Sequence, residues 1–327
     1  MINFSEITEL INQLNSDNKP ESTVIQSLWS GYGEITRVQL ENQNNKSFIV
    51  KNINFQSKVN HPRGWNTDRS HLRKVKSYEV EVEWYKNWAF RCDVSCRIPK
   101  CYASQSTDDQ HLIILEDLDA SGYPFRKSNL NVEEAKVVLK WLANFHALFL
   151  NDSPTGLWEE GTYWHLATRP DEFDAMADSP LKQKAFQIDE ILRNCSYKTI
   201  VHGDAKVANF CFAKDMKQVA AVDFQYVGGG CGMKDVVYFL GSCLSEKECE
   251  RLEDQLLDYY FEVLKSKLMQ SDKVIDIGAL EKEWRILFPI AWADFTRFLL
   301  GWMPTHQKLN GYSERMVEKA LETKKGK

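Results

Sequence analysis

The sequence predicts an α+β protein of two lobes: a small one with an antiparallel sheet plus a helix, then a larger, mainly helical one. Three observations predict it. Short segments of strand-type alternation, broken by Gly- and Asn-containing turns, crowd the first 118 residues. From residue 119 onward the longest apolar patterns are helical in period. A chain of 327 residues is long enough for two lobes around a cleft. The lobes are therefore placed at 1–118 and 119–327.

The elements follow in order. Ile7, Leu10, Ile11 and Leu14 recur at helical period, and Lys19-Pro20 ends that helix. Ser27 to Leu40 reads as strand, turn, strand, with Gly31 and Gly33 in the turn. Glycines there let the backbone approach a nucleotide phosphate, although two glycines in a hairpin are also common. After a turn at Asn42–Asn45, Ser47-Phe48-Ile49-Val50-Lys51 is a strand that ends in a lysine. Hairpin, turn and strand-with-lysine is the opening order of a nucleotide-binding lobe in which Lys51 reaches the phosphates. Lys58 to Lys76 is basic and reads as a solvated flank. A helix follows over Ser70–Phe90; Glu81, one turn before Tyr85 and beside Trp84 and Trp88, is the expected partner of Lys51, with Glu83 as competitor. Strands are expected at Arg97–Ala103 and His111–Leu118, separated by a polar turn at Ser106–Gln110. The interlobe hinge falls at Glu116-Asp117-Leu118. Extended backbone there can pair with an adenine edge. Glu116 and Leu118 mark the candidates, and the pairing needs no particular side chain.

In the second lobe, Asn131-Val132-Glu133-Glu134 opens a helix with an N-cap and a capping-box glutamate. That helix carries Leu139, Leu142, Phe145, His146 and Phe149 on a broad apolar face. The aromatic stretch Trp158–Phe173 is read as part of a substrate wall. A helix runs through Leu181–Arg193, and Tyr197–Val201 is a strand. Gly228-Gly229-Gly230-Cys231-Gly232 is expected to be flexible. Asp235, at the head of helix Val236–Leu244, either braces a neighbouring loop or caps its helix. Long amphipathic helices are predicted at 246–269 and 281–302; on the second, Trp292 and Asp294 are candidates to meet a substrate, while most of its tryptophans read simply as core. The charged tail Glu318–Lys327 is expected to fray.

Two stretches carry the chemistry. Val201 to Phe210, with His202-Gly203-Asp204, Lys206 and Asn209, reads as a strand end, a polar turn and the start of a short hairpin. Ala220 to Gln225 supplies a second carboxylate, Asp223. One Asp or Asn in a turn is explained by local hydrogen bonding. Asp204, Asn209 and Asp223 in that order are what phosphoryl transfer requires. One carboxylate accepts the proton of an attacking hydroxyl, while an amide oxygen and a second carboxylate hold Mg²⁺ against nucleotide phosphates.

Composition excludes several classes. A net charge of −5 gives no basic field for nucleic acid, and no apolar run reaches the length of a membrane span. The N-terminus lacks a secretory pattern, and the 8 cysteines sit mostly in apolar segments, which points to free thiols in the reducing cytosol. Cys92, Cys96 and Cys101 without nearby histidines make a weak zinc pattern.

With these residues in view, the chain resembles the aminoglycoside phosphotransferase/choline kinase-like superfamily. It is most similar to the ecdysteroid kinase-like branch, through "VHGDAKVANFCF", "AVDFQYVGGGCGMKDVVYFL", "IILEDL" and "WLANFHAL". The resemblance runs from about Lys51 to about Leu244. It implies a bilobal protein-kinase-like fold and ATP-dependent phosphorylation of a hydroxyl on a small molecule: a steroid-like, choline-like or aminoglycoside-like alcohol. It also implies Asp204 as base, Asn209 and Asp223 as Mg²⁺ ligands, Lys51 on the phosphates and Glu81 as its partner. Lys206, two residues after the base, either steadies the transferred group or is a surface lysine. Gln225 departs from the Asp-Phe-Gly of protein kinases, and the short segment after Asp223 offers no peptide platform. The rival reading is a nucleotide-binding scaffold without catalysis; against it, every catalytic position is filled by a competent residue.

Overall fold

The computed structural model describes residues 4–14, 20–28, 31–40, 46–55, 68–107 and 109–323. The expected turn at Asn42–Asn45, Trp29-Ser30, Lys19 and residues 58–67 of the basic flank lie outside the described residues. The chain is α+β and forms two compact units. One comprises residues up to Arg91 plus Ile98–Phe125; the other comprises Cys92–Arg97 and everything from Arg126.

In the first unit, helix α1 (Phe4–Leu14) precedes strands β1 (Ser22–Ser27), β2 (Gly33–Leu40) and β3 (Lys46–Asn54). Helix α2 (Asp68–Asn87) and strands β4 (Cys101–Ser106) and β5 (Gln110–Glu116) complete it. The sheet is antiparallel in the order β1-β2-β3-β5-β4. Strand alternation sends Val38, Leu40, Phe48, Val50 and Ile114 to one core, where Ile7 and Leu10 of α1 close over them. Tyr32, Ile53 and Tyr78 make a separate cluster with Leu28. The first strand of the β4–β5 pair begins at Cys101, not Arg97. Pro99 has no N–H to give a ladder, and the Arg97 carbonyl instead accepts from Trp141 Nε1 and Ala221 N.

The second unit begins its regular structure with helix α3 (Val132–Leu148), whose Asn131–Glu134 capping box forms as expected. Helices α4 (Pro170–Ala175) and α5 (Pro180–Arg193) follow. Short strands β6 (Thr199–Val201), β7 (Phe210–Phe212), β8 (Val219–Ala221) and β9 (Gly228–Gly230) come next. Helices α6 (Met233–Cys243), α7 (Glu246–Met269), α8 (Ile277–Trp302) and α9 (Gly311–Glu322) end the unit. Hairpin β7–β8 and the antiparallel pair β6–β9 frame the polar turn after Val201.

Two expectations are corrected here. The glycine run is not flexible: Gly228–Gly230 is a buried strand paired with β6. Glycine is required because a Cβ at Gly228 would stand 2.2 Å from the Trp158 carbonyl oxygen. The charged tail is helical as far as Glu322, because Tyr312, Met316 and Ala320 turn an apolar stripe inward; residues 324–327 lie outside the described residues.

Among the described residues no helix is long and apolar enough to cross a membrane, and no His, Cys, Asp and Glu cluster suited to a metal occurs. All 8 cysteines are free thiols. Gly228→Ala is expected to destabilise the second unit by about 1–3 kcal/mol, as overpacking against backbone does; urea unfolding followed by tryptophan fluorescence checks it.

Candidate active site

In the first unit, β3 places Lys51 between Ile35 of β2 and Ile113 of β5. The side chain is 3% exposed, a position a lysine keeps only when its charge is matched. The match comes from α2. Tyr78, Glu81, Trp84 and Tyr85 recur at helical spacing on its buried side, with Trp88 buried just past its end, so Glu81 points inward among aromatic rings. The Lys51 ammonium donates to Glu81 Oε2, with the Tyr78 ring centroid 5.6 Å from Nζ. The competitor Glu83 accepts from Asn87 on its own helix instead.

Gly31 and Gly33 form the β1–β2 turn. Both have positive φ, 78° and 140°. A Cβ on Gly33 would lie 2.0 Å from the Asn52 carbonyl oxygen, so close strand packing already accounts for that glycine. The Gly31 N–H donates to the Leu28 carbonyl.

The segment after β5 is pinned by Asp117, a residue the sequence marks only as part of the hinge. Asp117 accepts from Arg37 Nε at 2.7 Å and Ser47 Oγ at 2.8 Å, while Arg37 also reaches Asp119. Burial opposes ionisation of Asp117, but hydrogen bonds from Arg37 and Ser47 outweigh it and hold its carboxyl below the usual range. Glu116 is turned toward β4, accepting from Lys100 N through Oε2. The Leu118 carbonyl accepts from Tyr123 N, while its own N–H has no hydrogen-bond partner among the described residues.

In the second unit the polar turn is built around Asp235, the third residue of α6 and fully buried. Its Oδ2 accepts from His202 N at 2.6 Å and its Oδ1 from Gly203 N at 2.9 Å. His146 of α3 adds a third donor: Nε2 lies 3.1 Å from Asp235 Oδ2, while Nδ1 accepts from the Tyr260 hydroxyl. Of the two roles open to Asp235, the loop brace is the one formed. Gly203 has φ 79°, and a Cβ there would meet the Tyr226 carbonyl at 1.9 Å, so only glycine fits between the braces. The His202 ring accepts from Asp204 N through Nδ1 and donates through Nε2 to the Val222 carbonyl, tying this turn to the one that bears Asp223.

Asp204 emerges from this scaffold. Its Oδ2 accepts from Lys206 Nζ at 2.9 Å and Asn209 Nδ2 at 3.0 Å. Burial raises the Asp204 carboxyl above its ordinary range; Lys206 opposes this and Asp223 adds to it. Desolvation pulls the Lys206 ammonium down, but Asp204 and Asp223 outweigh it and leave it raised. The Asn209 amide nitrogen, on the 3₁₀ turn Val207–Asn209, donates to both the Asp204 carbonyl and its Oδ2, which leaves the amide oxygen as the end not bonded to Asp204. Asp223 has φ 71°, a strained backbone that Asp tolerates better than most residues. Gln225 Nε2 donates to Asp223 Oδ1 at 2.7 Å, and the Gln225 carbonyl accepts from Trp158 Nε1. An amide oxygen and a carboxylate form a hard oxygen donor set, which suits Mg²⁺. The departure at Gln225 thus steadies the carboxylate two residues before it.

Trp292 and Asp294 are not available to a substrate. Asp294 is 1% exposed, and its carboxylate accepts from Arg297 and from Trp164 Nε1. Trp292 is buried with Nε1 on Ser313 Oγ. The aromatic stretch 158–173 packs against the turn at Gly203. Tyr163 N donates to the Gly203 carbonyl, and its ring joins a run of rings, Trp158, Tyr226, Tyr163, Phe298 and Trp302, with neighbouring centroids 5.3–6.1 Å apart.

This fold, with a buried Lys–Glu pair in one unit and a braced Asp–Asn–Asp set in the other, is that of kinase-like phosphotransferases. The chain belongs to the ecdysteroid kinase-like family, whose profile matches residues 32–151 and 167–272. A type VIII aminoglycoside 3'-phosphotransferase shares the fold at 13% identity, over 87% of this chain and 98% of its own, with a TM-score of 0.50. An aminoglycoside phosphotransferase from Streptomyces rimosus, solved with ADP and streptomycin, is similar at 11% identity over 89% and 100%, TM-score 0.48. An ethanolamine kinase from Plasmodium vivax is similar at 13% over 96% and 84%, TM-score 0.48. Among curated proteins none matches the chain.

Asp235→Asn keeps the shape of the brace but turns an N–H₂ toward donors. It is expected to lower stability by about 2–5 kcal/mol, the cost of leaving buried donors unmatched; denaturant unfolding at neutral pH measures it.

Proposed function

We propose that this protein is an ATP-dependent kinase that transfers the γ-phosphoryl group to a hydroxyl of a small molecule. The observation that carries the reading is Asp204: a buried carboxylate on a braced loop, one oxygen occupied by Lys206 and Asn209, in a chain of the ecdysteroid kinase-like family.

Asp204 orients the acceptor hydroxyl and takes its proton through Oδ1, the oxygen that Lys206 and Asn209 leave over. Its raised carboxyl makes it a better proton acceptor than an ordinary aspartate. Lys206 compensates the carboxylate and stands beside the group in transfer. Asn209 and Asp223 are the residues that would hold Mg²⁺, and Gln225 keeps Asp223 in place for that role. Mg²⁺, when bound, neutralises charge on the nucleotide phosphates. Lys51, fixed by Glu81, is the phosphate contact of the first unit, with Gly31 and Gly33 in the turn beside it. The unpartnered N–H of Leu118 supports a backbone contact to the adenine edge there rather than through the Glu116 side chain. Catalysis is mostly positioning and electrostatics. The run of rings beside Gly203 supports an acceptor with an apolar body within the range of steroid-like, choline-like and aminoglycoside-like alcohols. The free thiols support a cytoplasmic location.

The test is a screen of metabolite alcohols for ATP-dependent phosphate transfer, with wild type and Asp204→Ala side by side. The variant is expected to lose transfer by about 10²–10⁴-fold, the worth of a general base, while keeping the thermal shift induced by Mg-ATP. Normal turnover in the variant would remove Asp204 from the chemistry.

A further inference from the structure

Lys308 has no part in the mechanism above, yet its position is unusual. It lies in the turn between α8 and α9, and that turn is well held. Lys308 N donates to His306 Nδ1 at 3.1 Å, and its carbonyl accepts from Ser313 Oγ at 2.6 Å. Ser313 Oγ in turn accepts from Trp292 Nε1 at 2.9 Å. The neighbouring Leu309 packs on the cluster of Trp164, Tyr238, Phe295, Phe298 and Leu299.

From this anchored backbone the side chain runs across the aromatic cluster. Its Nζ lies 4.9 Å from the Tyr238 ring centroid and 5.5 Å from that of Phe295. Two ring faces stabilise an ammonium without consuming its hydrogen-bond donors. Among the described residues the Lys308 ammonium makes no hydrogen bond and no ion pair. Desolvation lowers it to about 8, and both Asp204 and Lys206 are near enough to act on its ionisation. Tyr238, beneath it, also senses the Asp204 carboxylate. A half-buried cation with three unused donors thus stands over Tyr238, whose ring centroid is 5.5 Å from that of Tyr163, the residue whose N–H bonds the Gly203 carbonyl next to Asp204. The buried acids of this region are already matched: Asp294 by Arg297, Glu172 by Arg169, Glu160 by Lys234.

We propose that Lys308 is a specificity determinant of the acceptor site, which repels cationic alcohols and selects neutral or anionic ones carrying an oxygen that accepts its hydrogen bond. The inference rests on the phosphotransferase reading for the word acceptor, and it narrows the range given there by removing quaternary-amine and polyamine alcohols. The physical basis is a difference in affinity. An unpaired, desolvated ammonium gains a charge-assisted hydrogen bond from an oxygen ligand and is opposed by a second cation at the same place.

The test uses three alcohols of one frame: trans-4-hydroxycyclohexanecarboxylate, trans-cyclohexane-1,4-diol and trans-4-hydroxycyclohexyl-trimethylammonium. Binding by calorimetry and ATP-dependent phosphate transfer are both measured on the full chain with Mg-ATP. Wild type is expected to prefer the carboxylate and the diol over the cation by at least about tenfold, the factor that one such contact is worth. Lys308→Met, which keeps the stem on the rings, should erase the ranking; Lys308→Glu should reverse it, and Lys308→Arg should restore it. The effect should fall on acceptor KM and leave the KM for ATP in place, which a merely structural role would not do. A ranking by charge that depends on Lys308 in binding, without transfer to any of the three, supports the inference and counts against the phosphotransferase reading. Transfer with a ranking that Lys308→Met leaves intact overturns the inference alone. Equal affinities for the three, or none, also overturn it.

Discussion

The buried carboxylate of Asp235 is the constraint on which the turn bearing Asp204 depends. A fully buried carboxylate is costly unless its lone pairs are filled, and here two backbone N–H groups and the His146 imidazole fill them. Those N–H groups belong to His202 and Gly203, the two residues before Asp204. The brace therefore sets the direction in which the chain leaves the turn, and with it the position of Asp204. His202 passes the same constraint to the Val222 carbonyl and so to the turn bearing Asp223. One charge at the head of α6 thereby positions two carboxylates that would repel each other in a free loop.

The first unit uses the same device with the signs paired. Lys51 is buried on a central strand and answered by Glu81 of helix α2. Arg37, Asp117, Ser47 and Asp119 hold the segment after β5 in a second charged cluster, nearer the surface and so worth less as stability.

Much of this was legible in residue order. The capping box at Asn131–Glu134 acts over one turn of helix, so local spacing reveals it. Glu81 could be preferred over Glu83 because helical period puts it with Trp84, Tyr85 and Trp88, and the pair with Lys51 is formed. Features decided by distant packing were not legible. The glycine run reads as slack, yet β9 is buried because Trp158 and Gly161 press on it from another loop. For Trp292 and Asp294 the sequence left substrate contact and core both open, and packing decided for the core, where Ser313, Trp164 and Arg297 claim them. Gln225 reads as a mere departure from a motif, and its grip on Asp223 appears only in three dimensions.

Taken by itself, then, the sequence determined the α+β class and marked Asp204, Asn209 and Asp223 as candidates, because short-range periodicity and motif spacing act within a few residues. The tertiary structure decided which charges meet. Asp235 reaches the turn across 32–33 residues of sequence, His146 joins it across 89, and Lys308 comes to Tyr238 and Phe295 from a turn near the far end of the chain. No local pattern encodes such meetings. They follow from how whole helices pack, and they set the environment in which an acceptor would be recognised.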